Sequence, residues 1–281
     1  MRELHRDEIA RAVASLCEPA CLELPPDVEK SLKTALDTEK SPAGKEALEL
    51  INENIVISRE EKIPLCQDCG FAVLFLELGQ ELHIVGGSLT EALNEGIAKG
   101  YTEGYLRKSI VSDPLFGRKN TTDNTPPVVH IDVVPGDRLK IVLAPKGGGS
   151  ENMSALAMLK PAQGVEGVKA FVRETVERAG SNPCPPIIVG IGIGGTADKA
   201  MVLAKKALLR PIGPSHPEEA YGALEKELLT LVNSLGIGPQ GFGGIVTALA
   251  VHIETFPCHI ASLPVAINLQ CHSARHAEVV L

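Results

Sequence analysis

The stretch Pro186-Ile-Ile-Val-Gly-Ile-Gly-Ile-Gly-Gly195 decides the fold class. Its aliphatic run predicts a strand over 186–193. Thr196–Leu209 behind it is predicted to be a helix. Strand, glycines and helix is the order of a dinucleotide fingerprint. The spacing, however, is G-x-G-x-G-G and not G-x-G-x-x-G. No acidic residue stands at a strand end about twenty positions on; Arg210-Pro211 is there instead. These glycines therefore read as close packing of a strand against a helix, with or without an anion at the helix start. A regular Rossmann fold is not predicted.

Working outward, the first sixty residues read as helices. Ile9, Val13 and Leu16 recur at helical spacing, and Pro25-Pro26 breaks the chain before a second helix near Asp27–Asp37. Ser41-Pro42 reads as an N-cap with proline at the first helical position, opening a helix to about Ile57. Phe71–Leu78 is predicted to be a buried strand. Ser88-Leu-Thr-Glu91 resembles a capping box before a helix reaching about Lys108. Asp113–Pro127 is a polar loop. Val128–Val134 and Arg138–Leu143 flank Pro135-Gly-Asp137 as a hairpin signal. Helices are predicted over 162–178 and 217–235, and strands over 245–253 and 261–268. The fold class is mixed α/β (α+β-like): a helical N-terminal part (1–60), then a mixed sheet with interspersed helices (61–281), read as one domain. Three loops are polar or glycine-rich: Cys66–Gly70, Lys146–Asn152 and Gln240–Gly244. Loops of that kind carry chemistry.

The net charge of −8, from 27 basic and 35 acidic residues, disfavours nucleic acid as a partner. No apolar run approaches the ~20 residues of a spanning helix. The charged start MRELHRDEIARAV lacks a signal peptide's apolar core. The expectation is a cytoplasmic protein without membrane contact. With no Trp and nine other aromatic residues, aliphatic side chains must build the core.

Seven cysteines in a chain without a secretory signal do not read as a disulfide framework. Cys17 and Cys21 lie on the first helix and read as buried small apolar side chains, with a zinc half-site as the alternative. Cys66-Gln-Asp-Cys69 has thioredoxin-type spacing but precedes a strand, where no helix dipole would lower a thiol pKa. Its thiol, amide and carboxylate in sequence suit a site. Cys184 stands among prolines in Asn182-Pro-Cys-Pro-Pro186, the rigidity a metal ligand gains from. Cys271 lies in a segment dense in Cys, His and Arg, for which a solvated tail is the alternative reading. The long separations of Cys66, Cys184 and Cys271 do not fit ferredoxin spacing. They fit one cluster held by three loops, leaving one iron open as a Lewis acid.

The sequence resembles the α subunit of the two-subunit class I fumarate hydratase and L(+)-tartrate dehydratase family, the iron–sulfur hydro-lyases. The resemblance rests on Cys66-Gln-Asp-Cys-Gly70, Gly104-Tyr-Leu-Arg-Lys-Ser109, Asn124-Thr-Pro-Pro127, Lys146-Gly-Gly-Gly-Ser-Glu-Asn152, Cys184-Pro-Pro186, Gly190-Ile-Gly-Ile-Gly-Gly195 and Asn268-Leu-Gln-Cys-His-Ser-Ala-Arg-His276, in the family's order. It implies an oxygen-sensitive [4Fe-4S] cluster on Cys66, Cys184 and Cys271. It implies dicarboxylate contacts from Gln67, Asp68, Arg107 and Gly149, with His259 beside Asp68 as a proton-transfer pair. It further implies a separate β subunit completing the active site, and an α–α contact giving an α2β2 assembly. Cys69 stands where the family usually has Thr, which argues against a ligand role for it.

The leading expectation is reversible hydration of fumarate to (S)-malate. An L(+)-tartrate dehydratase subunit is the alternative. A non-catalytic iron–sulfur or zinc scaffold is the reading from another class.

Overall fold

The structure, a computed structural model, describes residues 2–281. In chain order it opens with β1 (Arg2–His5), α1 (Arg6–Leu22), α2 (Pro26–Thr38) and α3 (Pro42–Glu61). Next come β2 (Phe71–Gly79), β3 (Leu82–Val85), α4 (Leu89–Glu103), β4 (Val128–Val134), β5 (Leu139–Lys146) and α5 (Gly148–Glu151). The rest is β6 (Ala155–Leu159), α6 (Gly164–Ala179), β7 (Ile187–Gly194), α7 (Ala197–Ala207), α8 (Glu219–Asn233), β8 (Ala248–Phe256), β9 (Leu263–Gln270) and β10 (Ala277–Val280). The mixed α/β class, helices first and without Rossmann alternation, is the one the sequence predicts. Among the described residues no helix is long and apolar enough to cross a membrane.

The chain forms two compact units. The first holds the described residues up to Leu24, Ile55–Gly148 and Arg275–Leu281; the second holds Pro25–Asn54 and Gly149–Ala274.

In the first unit a four-stranded sheet runs β10-β5-β2-β4. β2 is its most apolar strand, buried from Ala72 through Leu76, and so takes an inner place. It pairs parallel with β4 and antiparallel with β5. This corrects the predicted hairpin, since β4 and β5 are not neighbours. The Pro135–Asp137 turn crosses the end of β2: Gly79 N–H donates to Arg138 O at 2.9 Å and Glu81 N–H to Gly136 O at 3.0 Å. The mostly exposed β4 goes to the edge, where Val128, Ile131, Asp132 and Val133 lie exposed. α1 and α4 pack on each other through Ile9, Val13, Leu93, Ile97 and Tyr101, above Leu74, Leu76, Ile141 and Leu143. Gly100 permits this approach, because a Cβ there would lie 2.4 Å from Cys17 Sγ. Ser88 caps α4 through Glu91 N–H, as predicted. The helix ends at Glu103, short of the predicted Lys108, and Tyr105 turns left-handed (φ 52°) just beyond.

In the second unit the sheet runs β6-β9-β7-β8, and β7 is buried along its whole length. Alternation sorts its two faces. Val189, Ile191 and Ile193 pack against Val172, Val176, Leu228 and Val232 of α6 and α8. Gly190 and Gly192 face α7, where added Cβ atoms would sit 2.1 Å from Ala204 O and 2.0 Å from Ala200 O. The glycines thus bring α7 onto the sheet, which is the close-packing reading of the sequence. Glu39 is buried here. It accepts from the N–H groups of Lys40 (2.7 Å), Ser41 (2.9 Å), Ile245 and Val246 (2.9 Å) and so anchors the chain after the Gln240–Gly244 loop. Burial alone would raise its carboxyl pKa, but these donors outweigh it and hold the value low.

Candidate functional site

Cys66–Gly70 is irregular backbone between α3 and β2. Gly70 (φ 67°) ends it, with its Cα so close to Lys146 that a Cβ would lie 2.4 Å from Lys146 O. The loop is fixed by its own polar groups. Asp68 Oδ1 accepts from Gly70 N–H at 2.9 Å and Oδ2 from Gly148 N–H at 2.8 Å. Asp68 O accepts from the buried Arg275 guanidinium at 2.7 Å. The Cys66 sulfur, partly exposed, accepts from Asp68 N–H at 3.4 Å.

Cys69 behaves differently. It is buried, accepts from Arg107 N–H at 3.3 Å, and its carbonyl accepts from Tyr101 Oη at 2.9 Å. A hydrogen bond from the Cys21 thiol, helped by Arg107 N–H and the Arg275 charge, outweighs burial and brings Cys69 down to about 6. The same bond and burial push Cys21 well up. Burial takes Cys17 up to about 12. Cys17 and Cys21 are thus buried small side chains, and Cys69 is a tie within the fold.

A cavity of 320 Å³ opens beside this loop in the first unit, lined by Gln67, Asp68, Gly70, Arg107, Ser109 and Gly148, among others. Three predicted dicarboxylate contacts, Gln67, Asp68 and Arg107, are therefore brought together. The cavity holds a carboxylate, an amide and an exposed guanidinium, and so can clamp an anion on the arginine. Ser109 and Gly148 were not predicted by number as cavity residues, although both lie inside the quoted motifs.

The second unit holds Cys184, Cys271, Gly149 and His259. Cys184 is exposed in left-handed backbone (φ 56°). Its carbonyl accepts from His272 N–H at 3.3 Å, which brings the partly exposed Cys271 segment alongside. Gln240, also left-handed (φ 52°), joins the same corner. Its N–H and Nε2 both donate to Pro185 O, at 2.8 and 2.7 Å. Gly149 is exposed near this corner, where a Cβ would lie 3.4 Å from Asn182 O. Ser150 Oγ stands 3.5 Å from Gln270 Oε1, one residue before Cys271. His259 is exposed and locally tied: Nδ1 accepts from Ala261 N–H at 3.1 Å and its carbonyl from Ser262 N–H at 2.9 Å. Within neither unit do three Cys, His, Asp or Glu side chains of the described residues stand together as a single-ion site. The donor chemistry fits an iron–sulfur group nonetheless. The three predicted ligand thiols are the partly or fully exposed ones on loops, Cys258 apart, while the other three are buried.

The family model described as "Fumarate hydratase (Fumerase)" matches residues 10–280. A Methanocaldococcus jannaschii protein named "Putative L(+)-tartrate dehydratase subunit alpha" is 46% identical over 275 residues, 96% of each chain. The L(+)-tartrate dehydratase subunit alpha of Escherichia coli O157:H7 is 33% identical over 279 residues, 98% of this chain and 91% of that one. Its counterpart in E. coli strain K12 is 32% identical over the same shares.

Proposed function

Because the chain belongs to the fumarate hydratase (Fumerase) family, we propose that it is the α subunit of an iron–sulfur hydro-lyase acting on a C4 dicarboxylate with a separate β subunit. The observation that carries this reading is the cavity that joins Gln67, Asp68 and Arg107, one residue beyond Cys66. Cys66, Cys184 and Cys271 are the proposed ligands of a [4Fe-4S] cluster. When bound, that cluster supplies an iron free of protein ligands as a Lewis acid for the substrate hydroxyl.

The chain's own residues do the rest. Arg107 pairs with one substrate carboxylate through parallel N–H donors. Gly149, exposed in the short helix α5, offers backbone N–H to the other. Asp68 is held by two backbone donors and so presents its carboxylate in one orientation. It takes the proton from the carbon next to the hydroxyl-bearing carbon, with His259 as its proposed partner.

Fumarate to (S)-malate is the first substrate reading. The names of the relatives favour L(+)-tartrate as a second. An α2β2 assembly in the cytoplasm completes the proposal. The deciding experiment is anaerobic co-expression with the β subunit, then assay with fumarate, (S)-malate and L(+)-tartrate. Activity on one of them is expected. An iron-loaded αβ complex inert on all three, with a reversibly reduced cluster, would establish an electron carrier instead. Zinc in place of iron would establish a structural metal.

A further inference from the structure

Asn124 lies in the Asp113–Pro127 loop, is fully buried, and adopts left-handed backbone (φ 65°). Its side chain spans the two walls of the cavity. Oδ1 accepts from Ser109 N–H at 2.7 Å, and Nδ2 donates to Gly70 O at 3.1 Å. Gly70 ends the loop that carries Gln67 and Asp68, and Ser109 follows Arg107 by two residues. Neither bonded group belongs to a helix or strand. No sheet ladder therefore sets the distance between these walls; side-chain bonds do. A second bond of this kind runs from Arg107 N–H to Cys69 Sγ. The Asn amide carries, on separate atoms, both the acceptor that Ser109 needs and the donor that Gly70 needs. Asn is also the side chain that tolerates left-handed backbone best after glycine.

We infer that Asn124 is a positioning residue, setting the spacing between the Asp68 carboxylate and the Arg107 guanidinium. The inference rests on the proposed reading of the cavity as a dicarboxylate site. Its effect belongs in substrate geometry, where a displacement of about 1 Å costs up to about a hundredfold.

The test uses the reconstituted αβ enzyme with iron and sulfide measured. Asn124→Gly keeps the backbone conformation and removes both bonds. Asn124→Asp keeps the acceptor and removes the donor. Expected are a kcat/KM about ten- to a hundredfold lower in Asn124→Gly, carried mainly by KM, and a smaller loss in Asn124→Asp. Iron content should stay at the wild-type level. Amide exchange at Ser109 should quicken in Asn124→Gly and not in Asn124→Asp. Should Asn124→Gly fail to fold, the KM of Asn124→Asp decides alone. Wild-type KM in the folded variants would overturn the inference, whatever the exchange shows. Arg107→Ala is run in parallel. A raised KM there with unaltered Asn124 variants removes only this inference; an unaltered Arg107→Ala removes the cavity reading and this inference with it.

Discussion

His272 donates its backbone N–H to the carbonyl of Cys184 at 3.3 Å, and its ring Nδ1 lies 3.0 Å from the same oxygen. One peptide thus binds the chain after Cys271 to the chain at Cys184. Two of the three proposed ligand thiols share a corner of the second unit because of it.

This relationship sets the first prediction. In cluster-free protein, Cys66, Cys184, Cys258 and Cys271 react with iodoacetamide, while Cys17, Cys21 and Cys69 resist because they are buried. In anaerobically loaded protein, Cys66, Cys184 and Cys271 become protected together and Cys258 still reacts. Peptide mass spectrometry reads the pattern. Protection of Cys258, or continued labelling of one member of the three, would remove that residue set as the ligands.

Asp68→Asn should lower kcat about a hundredfold or more, since an amide cannot take the proton. Arg107→Ala should act chiefly on KM, because it removes a carboxylate clamp. The Asn amide also turns an NH2 toward one of the two N–H groups that Asp68 accepts from. Iron content and thermal midpoint are therefore measured beside the kinetics. Near-normal turnover of Asp68→Asn at full iron content would assign the base to the β subunit.

The third prediction concerns pH. Burial, then the nearby Arg210 charge, lowers His252 to about 4. The unfolded chain binds this proton near pH 6.5 and the folded chain only near 4. Stability from this group is therefore complete above about 6.5 and is lost as pH falls toward 4, by roughly 3 kcal/mol in all. His252→Gln removes the titration. Its thermal midpoint should fall less than the wild type's between pH 7 and 4.5. Parallel curves for the two proteins would refute the assignment.

Gly192→Ala should destabilise the second unit by about 3 kcal/mol, the upper range for overpacking. Its Cβ would stand 2.0 Å from Ala200 O, a backbone atom that cannot swing away. Gly117→Ala is the control, because its nearest neighbour, Asp113 Oδ2, lies at an ordinary 3.5 Å. Urea unfolding should separate the two variants clearly. Equal midpoints would mean that α7 can lift from the sheet at little cost.

Much of the fold was legible locally. α1, α2, α6, α7 and α8 follow apolar periodicity, and Ser88 announces α4 by its cap. β2 and β7 announce themselves by unbroken aliphatic runs. The short strands β1, β3, β6 and β10 were not predicted. Each has four or five residues, too few to show a period. The hairpin between β4 and β5 was misread for a related reason. Pro135-Gly-Asp137 specifies a turn, but a turn does not say which strand lies beside which. At the site, Gln67, Asp68 and Arg107 could be named from their motifs. The tie made by Asn124 could not, since a buried amide looks like any loop Asn until its partners are known.

The sequence by itself determined the element types, the glycine surface beneath α7 and the polar loops at Cys66, Lys146 and Gln240, because each is written in short-range pattern. Tertiary structure alone decided that Arg107 faces Asp68 across one cavity, and that Cys69 is buried against Cys21 instead of joining Cys66 at the surface. Those outcomes depend on contacts between residues far apart in the chain. They are fixed only when competing strands and loops are packed at once, with the great majority of buried backbone donors and acceptors paired.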